Sequence, residues 1–358
     1  MKKKKIKVGV IFGGRSREHE ISLRSAEVVI KALDAAKYQV IPIGITKEGR
    51  WLATGNPLKA LKRGRAGRFT QEVEPIVNPA KKGFLRAKSG TLITIDVLFP
   101  VTHGTQGEDG SLQGFCEMAN IPYVGSRVLG SALGMDKVAQ KKLLRAAGLP
   151  VADFFGITRH EWEEEGRALS RKIERMRFPV FVKPANSGSS VGISKVKQRK
   201  QLAKAVREAF RYDTKIIVEK GFENAREIEC GVLGNDELEV SLPGEIIPWG
   251  EFYDYNAKYA DQRSEMIVPA KLAPSFLRLF EELSKKSFQT LDLCGMARVD
   301  FFLVKHKKKT QCYVNEVNTI PGCTETSMFP KLWEASGLPF RDVARRLASE
   351  GFLALAPD

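Results

Sequence analysis

Residues 296–322 read MARVDFFLVKHKKKTQCYVNEVNTIPG, and the reading of this stretch decides the fold. Two apolar runs, Met296 to Val304 and Gln311 to Val317, flank a cationic turn from His306 to Thr310. Alternation along a strand places Arg298, Asp300, Phe302 and Val304 on one face of the first run. It places Cys312, Val314, Glu316 and Asn318 on one face of the second. An antiparallel hairpin then brings Asp300, Glu316 and Asn318 together, with Arg298 beside them. Asp300 lies between Val299 and Phe301 in a run that otherwise reads as buried. A buried carboxylate without a partner is costly. One reading makes Arg298 and Asp300 a structural ion pair. The other notes that a second carboxylate and an amide arrive from the neighbouring strand. Such hard oxygen donors suit Mg²⁺, which keeps waters or phosphate oxygens as its other ligands. Arg298 is then a cation aimed at developing negative charge, and the hairpin predicts a Mg²⁺–nucleotide site.

Composition narrows the class. A chain of 358 residues holds two or three domains with ample core, and 43% apolar residues is ordinary for a soluble protein. No apolar stretch approaches the ~20 residues of a membrane span. The N-terminal MKKKKIKVGVIFGG imitates a signal peptide only briefly: its apolar run contains Lys7 and leads into charged GGRSREHE, so export is not expected. The cysteines at 116, 230, 294, 312 and 323 lie far apart without C-x-x-C pairing, as in reduced cytoplasmic enzymes. The histidines show no zinc spacing. A net charge of +16 raises nucleic-acid binding, but the cations are dispersed and no nucleic-acid motif accompanies them. A basic surface on an enzyme of anionic substrates is the better account.

In chain order, Ile6 to Phe12 is a buried-type strand, Gly13 and Gly14 a tight turn, and a helix is expected from about Ser22. This unit opens a doubly wound α/β layer without the G-x-G-x-x-G of a dinucleotide fold. Glu18, just before the helix, is either a first-turn carboxylate favoured by the helix dipole or a site for an ammonium group. Residues 50–90 predict short strands and no chemistry. Thr91 to Val101 reads as a strand ending in THGTQGEDGSLQG, a loop type where α/β sheets place ligands. There His103, Glu108 and Asp109 can orient Glu18 or a substrate, or Asp109 to Ser111 can be a helix cap. Ile121 to Val124 is the next expected strand.

Ala132 to Ala147 predicts one helix, ended by Gly148 and Pro150, on which Lys137 is a solvated lysine or a ligand. Strand Pro179 to Lys183 leads into KPANSGSSVGISKV, a Gly/Ser hairpin loop. Backbone amides with Ser187, Ser189 and Ser190 can wrap phosphates, Lys183 supplying counter-charge; a plain hairpin turn is the alternative. After a helix from Lys200 to Phe210, the strand from Lys215 ends in Glu219-Lys220, an edge where an adenine can meet backbone groups. Residues 243–270 read as a long aromatic loop without periodicity, and such loops are usually functional or disordered. Helices Ser275 to Leu291 and one ending near Glu350 complete the chain.

The motifs FGGRSREHEISLRSA, HGTQGEDGSLQG, YVGSRVLGSALGMDK, KPANSGSSVGISKV, YDYNAKY, ARVDFF and NEVNTIPGCTETSMFP, in this order, resemble the D-alanine–D-alanine ligases of the ATP-grasp superfamily. The resemblance implies an α/β fold in three domains: an N-terminal doubly wound substrate domain (1–129), a central lid domain (130–219) and a C-terminal α+β catalytic domain (220–358) with a mobile loop at 243–270. It implies that Lys137 and Lys183 contact ATP phosphates, with Ser190 and Lys258 also among the ATP-binding residues. Glu219, Lys220, Phe222 and Glu227 would hold adenine and ribose. Asp300, Glu316 and Asn318 would bind two Mg²⁺ (or Mn²⁺) ions. Glu18 would hold the ammonium of the first D-alanine, supported by Ser189, Tyr259 and His103. Arg298 and the Gly322 backbone would form the oxyanion site, and Ser327 and Met328 would face the second D-alanine. The implied enzyme is a cytoplasmic homodimer making a cell-wall precursor from D-alanine and ATP, with no nucleic-acid or membrane partner. D-alanine–D-lactate or D-serine ligation, or another ATP-grasp ligase, is the alternative. Tyr259, neutral near pH 7, would favour an ammonium acceptor over anionic lactate.

Overall fold

A computed structural model of the chain describes residues 4–64, 70–188, 191–249, 264–307 and 309–350. Three sheets follow one another along the chain. The first comprises β1 (Ile6–Gly13), β2 (Tyr38–Ile45), β3 (Trp51–Ala53), β4 (Gln71–Pro75), β5 (Gly83–Arg86), β6 (Leu92–Thr94) and β7 (Val97–Pro100), in the order β6-β5-β4-β3-β2-β1-β7. The pairings of β1 with β2 and β7 are parallel, and β3 to β6 extend the sheet as an antiparallel meander. On β1, Val8, Val10 and Phe12 face a core shared with Val29, Phe329, Trp333 and Val343. Ile11 faces a second core with Ile43, Leu98 and Tyr123. A strand covered on both faces needs a nearly continuous apolar run, which IKVGVIFG supplies.

Gly13 ends the strand at φ +87°, where a side chain would overlap the Ile45 carbonyl. Helix His19–Ala32 then begins three residues before Ser22, so Glu18 is its N-terminal flanking residue. Two expected strands differ. The run Thr91–Val101 splits into β6 and β7 at opposite edges of the sheet, and Asp96 at the break accepts the Lys7 N–H at 2.7 Å. Ile121–Val124 contributes a single parallel bridge, Leu98 to Tyr123.

The second sheet contains β8 (Phe154–Thr158), β9 (Val180–Pro184), β10 (Ser194–Val196) and β11 (Lys215–Lys220), in the order β10-β9-β11-β8. Its own core holds Ile157, Val180, Val206 and Ile216. Ahead of it, the single helix expected over Ala132–Ala147 is two, Val128–Met135 and Lys137–Ala146. The break is Asp136, extended at φ −81°, ψ 100°, whose carboxylate accepts the N–H groups of Val138 and Ala139 at 3.0 Å each. An aspartate that can cap offers the backbone an alternative to continuing the helix. Lys137 thereby becomes the first residue of the second helix.

The third sheet contains β12 (Arg226–Gly234), β13 (Leu238–Val240), β14 (Gly244–Ile247), β15 (Glu265–Ile267), β16 (Gly295–His306) and β17 (Lys309–Asn318). Its order is β15-β14-β12-β16-β17, with β13 beside β12. The stretch read as one loop from 243 to 270 thus opens and closes with a paired strand; residues 250–263 lie outside the described ones. The β16–β17 hairpin forms with a shift of register: Asp300 opposes Glu316, and Phe301 opposes Val314. Asn315 is the extra residue of a bulge. Strict alternation therefore misplaces Cys312 and Val314, which lie in the core with Phe301 and Leu303. Glu316 and Asn318 stand opposite Asp300 and Arg298. A slip of one residue turns every later side chain over, and here it lets one strand be apolar on one face and ligand-bearing on the other.

Asp136→Ala removes both the cap and an ion pair with Lys215. A loss of about 1–2 kcal/mol is expected in urea unfolding.

Candidate active site

Loops and strands from all three sheets line one cavity of about 640 Å³. On its floor, β12, β16 and β17 set three carboxylates side by side: Glu229 opposes Asp300, and Asp300 opposes Glu316. Two residues along β16, Arg298 answers this charge. Its Nε lies 2.9 Å from Glu229 Oε2 and 2.7 Å from Asp300 Oδ1, and a terminal nitrogen donates to Asp300 Oδ2 at 2.7 Å. Asn318 donates its amide N–H to the same Oδ2 at 3.0 Å, so its amide oxygen is the atom it can offer a cation. The two readings of Arg298 and Asp300 therefore coexist: the ion pair is made, and it stands inside a set of hard oxygen donors. Among the described residues no group of three His, Cys, Asp or Glu side chains is arranged as a metal cage. Two carboxylates and an amide suit instead a divalent cation that takes its remaining ligands from water and phosphate.

The cationic wall comes from helix Lys137–Ala146 and β9. Lys137 donates to the Ser187 carbonyl at 2.7 Å. Glu219 is buried between two ammonium groups, Lys141 at 3.0 Å and Lys183 closer still. Burial alone would raise the Glu219 carboxyl, but the two lysines outweigh it and hold the pKa at about 2. Glu219 lines the cavity with its carboxylate held by both lysines. At Lys220 the N–H goes to the Asp153 carbonyl at 2.8 Å, and the ammonium goes to the Arg177 carbonyl at 2.7 Å. The apolar end of the cavity carries Phe222, stacked on Tyr313 at 4.6 Å and edge-on to Phe302 at 6.0 Å. Glu227 lines the same end, opposite Phe302 across the strands.

At the other end Glu18 is 8% exposed. Two glycines let the backbone close on it: a Cβ at Gly188 would overlap its carboxylate, and one at Gly104 would come within 2.7 Å. His103 is buried, and burial holds its pKa below the usual histidine range despite the nearby Glu18 charge. The neutral ring donates from Nδ1 to the Ile320 carbonyl at 3.2 Å and accepts at Nε2 from the Ser25 hydroxyl at 3.1 Å. Ser25 in turn accepts the Cys323 N–H at 3.3 Å. His103 thus ties down the segment that presents Gly322. Ser327 and Met328 line the cavity. The Ser327 hydroxyl lies 2.7 Å from that of Thr324, and Met328 packs on Ile246 and Leu332.

The three acidic-loop candidates part company. Asp109 serves the turn, accepting the Ser111 and Gln106 N–H groups at 3.0 and 2.7 Å. Glu108 lines the cavity and accepts the Gly104 N–H at 2.5 Å. Burial, then the charge of Glu18, push the Glu108 pKa up to about 8. Ser189, Ser190, Lys258 and Tyr259 lie outside the described residues. Sequence reasoning passed over Lys141 and Glu229. Lys141 stands one helical turn beyond Lys137, and Glu229 alternates with core residues Ile228 and Cys230 on the strand that also carries Glu227; both signals were present.

Comparison with known proteins bears on this geometry. Residues 7–126 match the family model described as D-ala D-ala ligase N-terminus, and residues 143–349 match the D-ala D-ala ligase C-terminus. The chain belongs to the D-alanine–D-alanine ligase family. It is 47% identical over 355 residues to a D-alanine--D-alanine ligase of Natranaerobius thermophilus, covering 99% of this chain and 96% of that protein. It is 50% identical over 351 residues to one of Caldicellulosiruptor bescii, covering 96% and 94%. Among solved structures, the VanG D-Ala:D-Ser ligase of Enterococcus faecalis superposes with a TM-score of 0.86 at 36% identity, covering 97% of this chain and 99% of that one. The D-alanine-D-alanine ligase of Coxiella burnetii gives 0.84 at 37%, covering 98% and 94%. The three sheets are accordingly those of a three-domain α/β ATP-grasp fold.

Two measurements follow from the ligase cavity. Glu108 has a folded pKa above its ordinary value of 4.5, so the folded state binds the extra proton. Its contribution to stability is present at low pH and is lost as pH rises from about 4.5 to about 8. Glu108→Gln should flatten the decline in melting temperature across that window. Lys141→Met should cost about 3 kcal/mol in urea unfolding, as for one partner of a buried pair, and should raise the KM for ATP.

Proposed function

We infer that this chain joins two D-alanine molecules into D-alanyl-D-alanine, spending ATP and releasing ADP and phosphate, in the synthesis of a cell-wall precursor. The observation that carries this is the pairing of near-complete likeness to D-alanine--D-alanine ligases with one cavity. That cavity is lined by the buried carboxylate of Glu18 together with Lys137, Lys183, Asp300 and Glu316.

In this reading Glu18 takes the ammonium of the first D-alanine and fixes its carboxylate toward the γ-phosphate. Lys137 and Lys183 gather the phosphate oxygens, where positioning and charge stabilisation supply most of the catalysis. Asp300, Glu316 and Asn318 would hold the divalent metal, Mg²⁺ or Mn²⁺ and two ions by family pattern, which would neutralise phosphate charge. Transfer of the phosphoryl group gives an acyl phosphate. The unprotonated amine of the second D-alanine, seated by Ser327 and Met328, attacks its carbonyl. Arg298 and the Gly322 N–H receive the oxyanion, and phosphate leaves. Phe222 and Glu227 take adenine and ribose, with the backbone at Glu219 and Lys220. Ser189, Ser190, Lys258 and Tyr259 complete the phosphate and substrate contacts. The division into domains at 1–129, 130–219 and 220–358, a homodimeric assembly and a cytoplasmic location without nucleic-acid or membrane partners belong to the same proposal. In the described residues no helix is long and apolar enough to cross a membrane.

A D-serine acceptor is the second reading, on the likeness to VanG at 36% identity; the curated relatives at 47% and 50% favour D-alanine.

With ATP, Mg²⁺ and D-alanine the protein should release phosphate and form the dipeptide, and L-alanine, D-serine or D-lactate should not replace D-alanine. Chief formation of a D-serine or D-lactate product would overturn the assignment. Asp300→Asn and Glu316→Gln should abolish turnover while circular dichroism stays native. Dipeptide formation should rise between about pH 6 and 9 as the acceptor amine loses its proton.

A further inference from the structure

Glu229 stands at the site without a part in the chemistry above. It lies directly opposite Asp300 on the neighbouring strand, and the two are 5% and 8% exposed. Like charges facing each other across a sheet repel, and burial strengthens the repulsion. Arg298 reconciles them, but its contacts are unequal. Asp300 takes the bidentate grip, both oxygens at 2.7 Å, and Glu229 Oε2 lies 2.9 Å from Nε.

Asp300 is thus claimed twice, by the guanidinium and as a cation ligand. Its Oδ2 already accepts from both Arg298 and Asn318. A cation that engages Asp300 competes with Arg298 for the same lone pairs. A buried guanidinium that loses its only carboxylate is strongly unfavourable. Arg298 has a second carboxylate within reach, on a different strand and pinned by the sheet ladder.

We propose that Glu229 is a positioning residue that keeps Arg298 paired and in place when Asp300 is given over to a divalent cation. The proposal rests on the ligase reading only in taking Asp300 as a cation ligand. Glu229 itself stays off the metal. It lowers the cost of withdrawing Asp300 from its ion pair, and it leaves the guanidinium aimed at the oxyanion.

The test uses the full chain without D-alanine. Mn²⁺ titrated into the protein, followed by loss of the free-ion EPR signal, should bind Glu229→Gln roughly tenfold more weakly than wild type, the usual scale for a residue that supports a ligand. Glu229→Asp, which keeps the charge, should recover most of the affinity, and it serves as the test variant if the amide does not fold. Metal-free urea unfolding then separates support from direct ligation. Glu229→Gln and Asp300→Asn each leave Arg298 one of its two ion-pair partners. The double variant removes both ion-pair partners and leaves only the charge of Glu316 nearby, so its unfolding constant should exceed the product of the single effects by roughly tenfold. Mn²⁺ affinity unchanged within about twofold, no Mn²⁺ binding to wild type, or additive unfolding effects would each overturn the proposal. Failure to turn over D-alanine would overturn the ligase reading and leave these results standing.

Discussion

Everything at this site depends on how one sheet tolerates three carboxylates in a row. Glu229, Asp300 and Glu316 occupy adjacent strands at matching positions, where repulsion in a low-dielectric interior would otherwise favour protonation or unfolding. The Arg298 guanidinium turns that repulsion into structure. It is planar and permanently charged, so it can serve two acids at once. The hairpin, the bulge and the neighbouring strand β12 all exist in a geometry that this one cation makes affordable. The lysine side of the cavity repeats the arrangement with signs reversed: Lys141 and Lys183 share a single buried carboxylate, Glu219. Anions on the floor and cations on the wall leave between them a space suited to a metal-bound polyphosphate.

Much of this was legible in the residues. Apolar runs bounded by glycine fixed β1 and the first turn, and Asp300 in the midst of Val299 and Phe301 pointed to a special carboxylate. The hairpin could be read because its turn is short and cationic. What could not be read was the bulge. Nothing in TQCYVNEVN marks Asn315 as the residue without a partner, and alternation has no means of counting an extra one. The face of Glu316 and Asn318 came out right while Cys312 and Val314 came out wrong, since the slip lies between them. Asp136 was equally opaque: a lone aspartate inside a helical pattern reads as a surface residue until its carboxylate is seen to cap the next helix.

Long-range pairing accounts for the other gaps. Lys141 looks like a solvated lysine until β11 brings Glu219 against it. His103 looks like a ligand for Glu18, yet its two nitrogens serve Ile320 and Ser25, more than 200 and 70 residues away in sequence by the separations of 217 and 78. A single sequence states which groups are unusual. It does not state which unusual groups will meet.

The core beneath β1 has a mechanical consequence. Val8, Phe12 and Val29 from the start of the chain share it with Phe329, Trp333 and Val343 from the end, and among the described residues none of the four-stranded sheet belongs to it. Parting the first sheet from the third would bring this apolar interior into water, at about 25 cal/mol for each Å² exposed. The four-stranded sheet covers a different interior on one face and packs on Val138 with the other. The floor and the Glu18 side therefore share one interior, while the four-stranded sheet joins helix Lys137–Ala146 through a small cluster of Val138, Phe154, Ala185 and Ile217.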